Sequence, residues 1–385
     1  MAQKILLTTP TFPPINSGLG NVVQQLAKFI SDQGWQVVVA TGGCARGQYT
    51  DQISGALVEQ FNVNGADSIA QPLQGDIDSY VNYLKKSQFD IVLMNAWQIW
   101  STDLVLSHCA EVYGKKILYS HCISTNSIIG KISLRSIFRY LAWRPYWWSM
   151  AAKMKLLDGI ILLEGNGCDA RFDDAQLAKR LGVNLVVIPN SLSTLASSAL
   201  EVGSSNFMER NGILSIGAYD WQKGHDFVLR AYANSTLKNK VHLDICGQKF
   251  SSFSQELQDL AAHLGLNPHY VHFHEGLSQA NLLNRYSRAR LFVYGSHTEC
   301  QPLVLLDAMA TGTPFISRKT GSIPSMHGGV VVQSEPEAIE AMNFFYENKD
   351  EWEHLSKAGQ SQAREKHSPD KVKILLLEAL DKIQS

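Results

Sequence analysis

The sequence has almost no net charge. Its 34 Lys and Arg residues are balanced by 35 Asp and Glu residues, which leaves a formal charge of −1 at pH 7. A domain that binds nucleic acid through its overall charge is strongly basic, so that class of protein is disfavoured. We therefore expect no nucleic acid among the partners, and any attraction to anions has to come from a local group of basic side chains.

Long apolar runs and paired cysteines are missing as well. No stretch has the ~18 uninterrupted apolar residues of a membrane-spanning helix, and the apolar run in MAQKILLTTP is too short for a signal peptide. The six cysteines include no Cys-x-x-Cys pair, which disfavours structural zinc. These features predict a cytoplasmic protein with reduced thiols.

The length and the order of the predicted elements indicate two α/β domains. A chain of 385 residues exceeds one ordinary core. Strand-like and helix-like segments alternate through both halves, which predicts parallel sheets covered by helices on both faces. The predicted boundaries are 1–190 for the first domain, 191–211 for a Ser-rich linker, 212–368 for the second domain and 369–385 for an amphipathic C-terminal helix.

The most informative stretch is 295–321, GSHTECQPLVLLDAMATGTPFISRKTG. A helix beginning near Pro302 is apolar on every side, which is typical of a buried helix, and Asp307 is its one charge. Glu299 precedes the helix. Two carboxylates beside a helix N-terminus, whose free N–H groups attract phosphate, suggest a site for a sugar joined to a phosphate. The alternative to a ligand site is a buried helix whose one carboxylate lies at its solvent-exposed edge.

Two features of the first half also point to ligands. Gly18 opens a helix after a predicted strand at 4–9, an arrangement that suits phosphate but also suits a simple tight turn. His121 directly follows a second predicted strand, KKILYS, at the end where parallel sheets bind ligands. Taken alone, such a histidine is more often a structural residue.

A basic and aromatic stretch at 128–155 contains no acidic residue. Its side chains suit an anionic membrane surface, ordinary packing under a basic face, or an acceptor that carries phosphate. We predict that a surface for the acceptor or the membrane includes Arg135, Arg139, Arg144, Trp147 and Trp148.

These motifs resemble those of the retaining glycosyltransferases of family 4, also called glycosyl transferases group 1. The family pattern is Glu, seven residues, Glu, a helix of small residues and a Gly-Thr-Pro turn. Glu299 matches the first acid, which contacts the hydroxyls of the donor sugar in the family. Asp307 stands in place of the second acid, which holds the nucleotide ribose in the family. By resemblance Pro302 and Leu303 also bind the donor, and the N-terminus of the helix that begins there would stabilise the leaving diphosphate.

The resemblance extends to two further motifs of the second half. The segment 217–224, GAYDWQKG, occupies the place of a family loop that directs an arginine and a lysine at the donor pyrophosphate. Gly217 and Lys223 match this loop, whereas Ala218 replaces the arginine. Gly247 matches a glycine that ends the next strand beside the nucleotide.

In the first half the resemblance assigns roles to two residues. Gly18 keeps one glycine of the family's adjacent pair, with Ser17 in place of the other. His121 matches a family histidine close to the reacting sugar, where it positions the sugar rather than attacks it. By resemblance His121 and Glu299 are therefore the catalytic residues.

The family implies the GT-B fold, an α/β architecture of two facing Rossmann-like, doubly wound domains with a C-terminal crossover helix. It also implies a retaining hexosyltransferase with a UDP- or GDP-linked sugar donor and neither metal nor other cofactor. We expect a glycan or lipid-linked acceptor, in the synthesis of a cell-surface polysaccharide or glycolipid. The protein would be cytoplasmic, with peripheral attachment to the inner face of the membrane as an option.

Two other functions stay open. The departures at Ser17, Ala218 and Asp307, together with Ser325 in place of a family glutamate, would also fit a non-catalytic GT-B subunit that binds a partner or a glycan. A nucleotide-sugar epimerase shares the fold, and it would hydrolyse or isomerise the donor without an acceptor.

Overall fold

The computed structural model describes residues 3–15, 17–65, 72–121, 134–165, 173–202 and 206–384. The chain divides into two compact units. Unit 1 comprises Met1–Ile188 and Lys373–Ser385, and unit 2 comprises Pro189–Val372. Both are built from alternating strands and helices, as the sequence predicts.

In unit 1 an eight-stranded sheet carries most of the core. The strands are β1 (Lys4–Thr9), β2 (Gln36–Gly42), β3 (Gly47–Thr50), β4 (Leu57–Phe61), β5 (Val63–Asn64), β6 (Gln74–Gly75), β7 (Ile91–Asn95), β8 (Lys115–Ser120), β9 (Gly159–Leu162) and β10 (Asn184–Val187). The sheet order is β10-β9-β8-β7-β1-β2-β4-β3, and only β3 runs antiparallel to its neighbour. β5 and β6 form a separate two-stranded sheet.

Helices cover this sheet because its parallel strands are apolar on both faces. Every residue of β7 is buried, and so are five of the six in β1. Such continuous apolar strands need a helical layer on each side. The helices of unit 1 are α1 (Gly18–Ser31), α2 (Ile77–Lys86), α3 (Trp100–Ser107), α4 (Leu134–Met154) and α5 (Asp174–Leu181).

Unit 2 holds a six-stranded, wholly parallel sheet of order β13-β12-β11-β14-β15-β16. Its helices are α6 (Thr194–Val202), α7 (His225–Ala233), α8 (Ser252–His263), α9 (Gln279–Arg288), α10 (Leu303–Ala310), α11 (Glu335–Glu347) and α12 (Lys349–His367). Its strands are β11 (Ile213–Ile216), β12 (Leu243–Gly247), β13 (Val271–Glu275), β14 (Leu291–Tyr294), β15 (Phe315–Arg318) and β16 (Gly329–Val332). A final helix, α13 (Pro369–Gln384), begins in unit 2 and belongs to unit 1 from Lys373 onward.

The segment 191–211 differs from the predicted linker, because its described residues, 191–202 and 206–211, include side chains that pack into unit 2. Ala196 and Leu200 lie four residues apart on α6, and both are buried. The fully buried Arg210 donates to Thr313 Oγ1 at 2.7 Å and to the carbonyl of Ala289 at 3.2 Å. The Ser-rich composition suggested a flexible connection, but an apolar helix face and a buried guanidinium outweigh that signal.

The cysteines also depart from expectation at one position. Cys44, Cys109 and Cys246 are free thiols, whereas Cys300 is disulfide-bonded. Cys122 and Cys168 lie outside the described residues. The prediction of reduced thiols is therefore wrong for Cys300.

In α4 two adjacent tryptophans have opposite environments. The side chain of Trp147 is 7% exposed and belongs to the core of unit 1, whereas Trp148 is 75% exposed. At 3.6 residues per turn, neighbouring residues point about 100° apart, so Trp147 can face the core while Trp148 faces solvent. The assignment of Trp147 to a surface is corrected accordingly. No helix among the described residues combines the length and apolar character needed to cross a bilayer.

The tryptophan pair provides a test of this packing. Trp147→Ala should lower the free energy of unfolding by about 3 to 5 kcal/mol, because it leaves a large cavity. Trp148→Ala should change it by less than about 0.5 kcal/mol. Urea unfolding followed by circular dichroism measures both, and equal losses in the two variants would contradict this orientation of α4.

Candidate functional site

The candidate site in unit 2 begins with the loop between β11 and α7. Asp220 starts a 3₁₀ turn at Trp221–Lys223, where its carboxylate accepts from the N–H groups of Gln222 at 2.8 Å and Lys223 at 3.3 Å. Gly224 then reverses the chain with φ at +62°, a conformation that favours glycine. This capping fixes the backbone from which the Lys223 side chain extends.

A contact between two glycines brings this loop to the loop after β14. A Cβ atom on Gly224 would lie 1.9 Å from the carbonyl oxygen of Gly295, and one on Gly295 would lie 2.1 Å from the carbonyl oxygen of Gly224. The N–H of His297 also donates to the carbonyl of Gln222 at 2.7 Å. Only glycine at both positions permits this approach, which places Lys223 beside Glu299.

Glu299 is held by three donors. Lys223 Nζ lies 2.7 Å from its Oε1, Ser296 Oγ donates to the same oxygen at 2.9 Å, and the Tyr294 hydroxyl donates to it as well. Burial and the adjacent carboxylate raise the pKa of Tyr294 well above its usual value, so this phenol keeps its proton. All three bonds end on Oε1, and among the described residues Oε2 has no partner. The carboxylate is thus fixed in position with one oxygen available to accept.

Asp307 lies in the middle of α10 and has a different environment. Among the described residues no side chain or backbone group bonds to its carboxyl group, and burial raises its pKa from 3.8 to about 7. A buried carboxylate without partners is costly unless a donor reaches it. The arrangement could accept hydrogen bonds from a diol.

The start of α10 lies between these two acids. Pro302 is the N-cap residue and its side chain accepts no capping bond, and Leu303 is the first helical residue. The N–H groups of the first turn and the partial positive charge of the helix end favour an anion there. The preceding Gln301 is fixed within unit 2, because its backbone carbonyl accepts from Asn190 Nδ2 at 3.0 Å.

Gly217 follows β11, and Gly247 is the last residue of the neighbouring strand β12. A Cβ atom at Gly247 would lie 2.5 Å from the ring of Tyr219, so glycine lets this ring pack across the strand end. Gly217 lies against the Lys223 side chain, which is 3.1 Å from a Cβ atom built there. Ala218 is exposed and brings no charge, which leaves Lys223 as the cation of this loop.

Sequence reasoning missed the residues that position Glu299. Tyr294 and Ser296 are buried at the carboxyl end of β14, a place where functional residues concentrate, and that location was the available signal. Two further buried hydroxyls, those of Thr320 and Ser322, have no partner among the described residues. They belong to the turn whose Ser322 N–H donates to the carbonyl of Cys300 at 2.7 Å.

In unit 1, Gly18 is the first residue of α1, and Ser17 caps the helix by accepting from the N–H of Gly20 at 3.0 Å. A Cβ atom at Gly18 would meet no atom within 4 Å, whereas one at Gly20 would lie 2.8 Å from Ser17 Oγ. Close packing therefore requires Gly20, while Gly18 leaves open space above the helix start.

His121 follows β8 in unit 1, as predicted. Burial lowers its pKa to about 4, so the imidazole is neutral near pH 7. Its ring lies against Tyr119, with the centroids 4.6 Å apart, and its buried Nε2 has no hydrogen-bond partner among the described residues. A neutral imidazole with a free nitrogen can give or take one hydrogen bond with a ligand.

The predicted basic surface is only partly described. The backbone of Arg135 and Arg139 is helical, but their side chains lie outside the described part. The Arg144 guanidinium lies 4.4 Å from the ring centroid of Tyr140. At 3.6 residues per turn, one arc of about 100° on α4 carries five exposed residues, which are Ile137, Phe138, Leu141, Pro145 and Trp148. We call these five residues the α4 apolar face.

The chain consists of two doubly wound α/β units, and in unit 2 a lysine–carboxylate pair precedes the buried helix α10. This architecture suits the binding of phosphorylated ligands. Comparison with known proteins agrees. Residues 200–362 match the family model described as "Glycosyl transferases group 1". A D-inositol 3-phosphate glycosyltransferase from Streptomyces griseus subsp. griseus is 33% identical over 129 residues, which are 30% of this chain and 27% of that protein. The chain thus matches about a quarter of the length of this relative.

Solved structures resemble the chain over its whole length. Sucrose-phosphate synthase from Thermosynechococcus elongatus has a TM-score of 0.76 and 16% identity, and the match covers 99% of both chains. Anabaena Alr3699/HepE in complex with UDP-glucose has a TM-score of 0.69 and 15% identity over 98% of this chain and 99% of that one. The resemblance to the group 1 glycosyltransferases is confirmed, and so is the α/β fold with Rossmann-like domains of the GT-B class.

The half-buried Asp307 leads to a prediction about pH. Because its pKa is raised from 3.8 to about 7 in the folded chain, its ionisation destabilises the fold progressively as the pH rises from 4 to 7. Asp307→Asn removes this cost, so its gain in unfolding free energy over the native chain should grow by about 2 to 3 kcal/mol between about pH 5 and pH 8. Urea unfolding at both pH values measures the gain. A gain that is independent of pH would show that Asp307 titrates normally.

Proposed function

We propose that the protein is a glycosyltransferase that moves a hexose from a nucleotide-sugar donor to a hydroxyl group of an acceptor. The observation that carries this proposal is the Glu299 carboxylate, fixed through Oε1 by Lys223, Tyr294 and Ser296, while Oε2 has no partner in the described part of the chain. It precedes a helix whose one carboxylate, Asp307, also lacks a partner among the described residues. Glu299 and Asp307 are carboxylates on either side of a helix N-terminus. This order suits a sugar at Glu299, a diphosphate at the helix N-terminus and a ribose at Asp307.

Each residue then has a physical task in the reaction. Cleavage of the sugar–phosphate bond builds positive charge on the sugar and negative charge on the leaving diphosphate, and preorganised donors lower that barrier. Lys223 and the first-turn N–H groups of α10 stabilise the diphosphate. A unit charge about 4 Å away contributes on the order of 4 kcal/mol at an effective dielectric of 20, before desolvation.

Glu299 orients the sugar by accepting from its hydroxyls, and Asp307 accepts from the ribose. Lys223 is paired with Glu299 before the donor binds, so its charge is compensated while the site is empty of donor. His121, which is neutral, positions the sugar by one hydrogen bond. We further propose that the reaction retains the anomeric configuration without a protein nucleophile and without a metal, as the family resemblance implies.

For the donor we propose UDP-linked hexose before GDP-linked hexose. The support is the structural neighbour Alr3699/HepE, which was solved with UDP-glucose. For the acceptor we propose a glycan or a lipid-linked sugar used in surface polysaccharide or glycolipid synthesis. The relatives named for inositol 3-phosphate and sucrose phosphate make a small phosphorylated polyol the second candidate.

The α4 apolar face supports peripheral attachment of the protein to a membrane. Phe138 and Trp148 are 68% and 75% exposed, which is unusual for such large apolar side chains grouped on one helix face. An apolar helix face bordered by Arg144 suits the boundary between headgroups and acyl chains of an anionic bilayer. We propose that this face contacts the membrane that carries the acceptor.

A thermal-shift and calorimetric screen tests the donor site. UDP or a UDP-hexose should raise the melting temperature more than GDP or GDP-mannose does, because a ligand that binds only the folded state stabilises it. Lys223→Ala should weaken nucleotide binding at least tenfold. Glu299→Gln should spare UDP binding and abolish sugar transfer, which is measured by UDP release with candidate acceptors.

Lys349→Ala is the matched control, because Lys349 lies on α12 in an exposed pair with Glu353. It should bind nucleotide as the native chain does. If no nucleotide or nucleotide sugar stabilises the native chain, the enzyme hypothesis is wrong and the non-catalytic binding subunit becomes the better reading. Isomerised or hydrolysed donor in the absence of acceptor would instead indicate the epimerase.

Vesicle sedimentation tests the membrane contact. The native chain should sediment with vesicles that contain anionic lipid, and Phe138→Ser combined with Trp148→Ser should reduce the bound fraction severalfold through the loss of apolar burial. Phe344→Ser is the control, because Phe344 is 50% exposed on α11. Equal binding by the double variant and the native chain would contradict a role for the α4 apolar face.

A further inference from the structure

Two histidines and an aspartate meet at the edge of the sheet in unit 2. β13 is an edge strand, and its residues His272 and His274 are separated by one position. Side chains at i and i+2 of a strand point to the same face. Asp244 of β12 is the register partner of His272, so its side chain joins the two imidazoles on that face.

The ligand-type atoms of these three residues are close together. Asp244 Oδ1 lies 2.7 Å from His274 Nε2 and 3.4 Å from His272 Nδ1. One atom from each residue lies within 4.8 Å of the others. Around a tetrahedral ion with bonds of about 2.0 to 2.1 Å, ligand atoms are about 3.3 Å apart, so small side-chain rotations would close the site.

Neighbouring groups hold these side chains in place. Arg285 of α9 donates to the second oxygen of Asp244, Oδ2, at 2.7 Å, which leaves Oδ1 directed at the histidines. His242 stacks on His272 with the ring centroids 5.4 Å apart. Supporting contacts of this kind orient the ligands of metal sites in proteins. The three side chains are 25% to 38% exposed, so an ion can reach them from solvent.

We propose that Asp244, His272 and His274 form a binding site for a divalent transition metal such as Zn²⁺. Two imidazoles and one carboxylate are ligands that Zn²⁺, Ni²⁺ and Cu²⁺ prefer, whereas Mg²⁺ and Ca²⁺ prefer oxygen alone. Three protein ligands leave the remaining position to water. The site uses none of the residues assigned to the donor. It goes beyond the proposed sugar transfer, which needs no metal.

The metal would replace a network that already exists. Without metal, His274 bonds to Asp244, and Arg285 shares the same carboxylate. Metal binding exchanges the bond between His274 and Asp244 for three bonds to the ion, one from each of the three residues. Because Arg285 keeps its positive charge beside the site, we expect micromolar affinity rather than the tighter binding of a closed site with four ligands.

The test uses the full chain after treatment with a chelator, titrated with Zn²⁺ in competition with a chromophoric indicator. We expect a site of one equivalent that is lost in the His272→Ala, His274→Ala double variant, with at least a tenfold fall in affinity. Zn²⁺ should also raise the melting temperature of the native chain, a readout that needs no variant. Donor binding by the double variant should match the native chain, which separates this result from the proposed function.

His263→Ala is the matched control, because His263 is an exposed histidine at the end of α8. It should keep the full stoichiometry and affinity. The proposal is overturned if the native chain takes up no stoichiometric Zn²⁺ and shows no thermal shift. It is overturned equally if the double variant binds as tightly as the native chain, since Asp244, His272 and His274 would then form an ionic network only.

Discussion

The contact between Gly224 and Gly295 is the constraint on which the candidate site depends. It joins the loop after β11 to the loop after β14 at a distance that no side chain would permit. A lysine from one loop thereby reaches a carboxylate from the other at 2.7 Å. The pair is mostly screened from water, so its charges interact more strongly than they would on an open surface. Without this glycine contact, Lys223 and Glu299 would be two separate surface charges.

The two acids of the site, Glu299 and Asp307, have opposite hydrogen-bonding environments. Glu299 receives three donors and stays fixed, whereas Asp307 has none among the described residues and its pKa rises to about 7. Burial of an unpaired carboxylate lowers the stability of the fold, and such a cost is common where a ligand completes the site. The same pattern holds in unit 1, where the buried Nε2 of His121 has no partner among the described residues.

The sequence predicted the strands correctly, but it did not predict which side chains pack against the rest of the fold. The strand predicted at 4–9 forms as Lys4–Thr9, because buried parallel strands read as continuous apolar runs. The Ser-rich composition of 191–211 predicted a linker, but one face of α6, which lies in this segment, packs into unit 2. Composition also led to the wrong assignment of Trp147 to the surface, because the number of aromatic residues in a stretch does not show which of them face solvent once the helix packs.

The sequence by itself determined the alternating strands and helices, and with them two doubly wound domains. It also placed Gly217 and Lys223 in a loop after a strand, Glu299 before a helix and Asp307 within that helix, because local periodicity and glycine turns are short-range signals. Only the tertiary structure decided that Lys223 and Glu299, 76 residues apart, share a hydrogen bond. It alone revealed Tyr294 as a donor to Glu299, and it brought Asp244 to the two histidines of β13. These contacts follow from strand order and register, which no short stretch of sequence encodes.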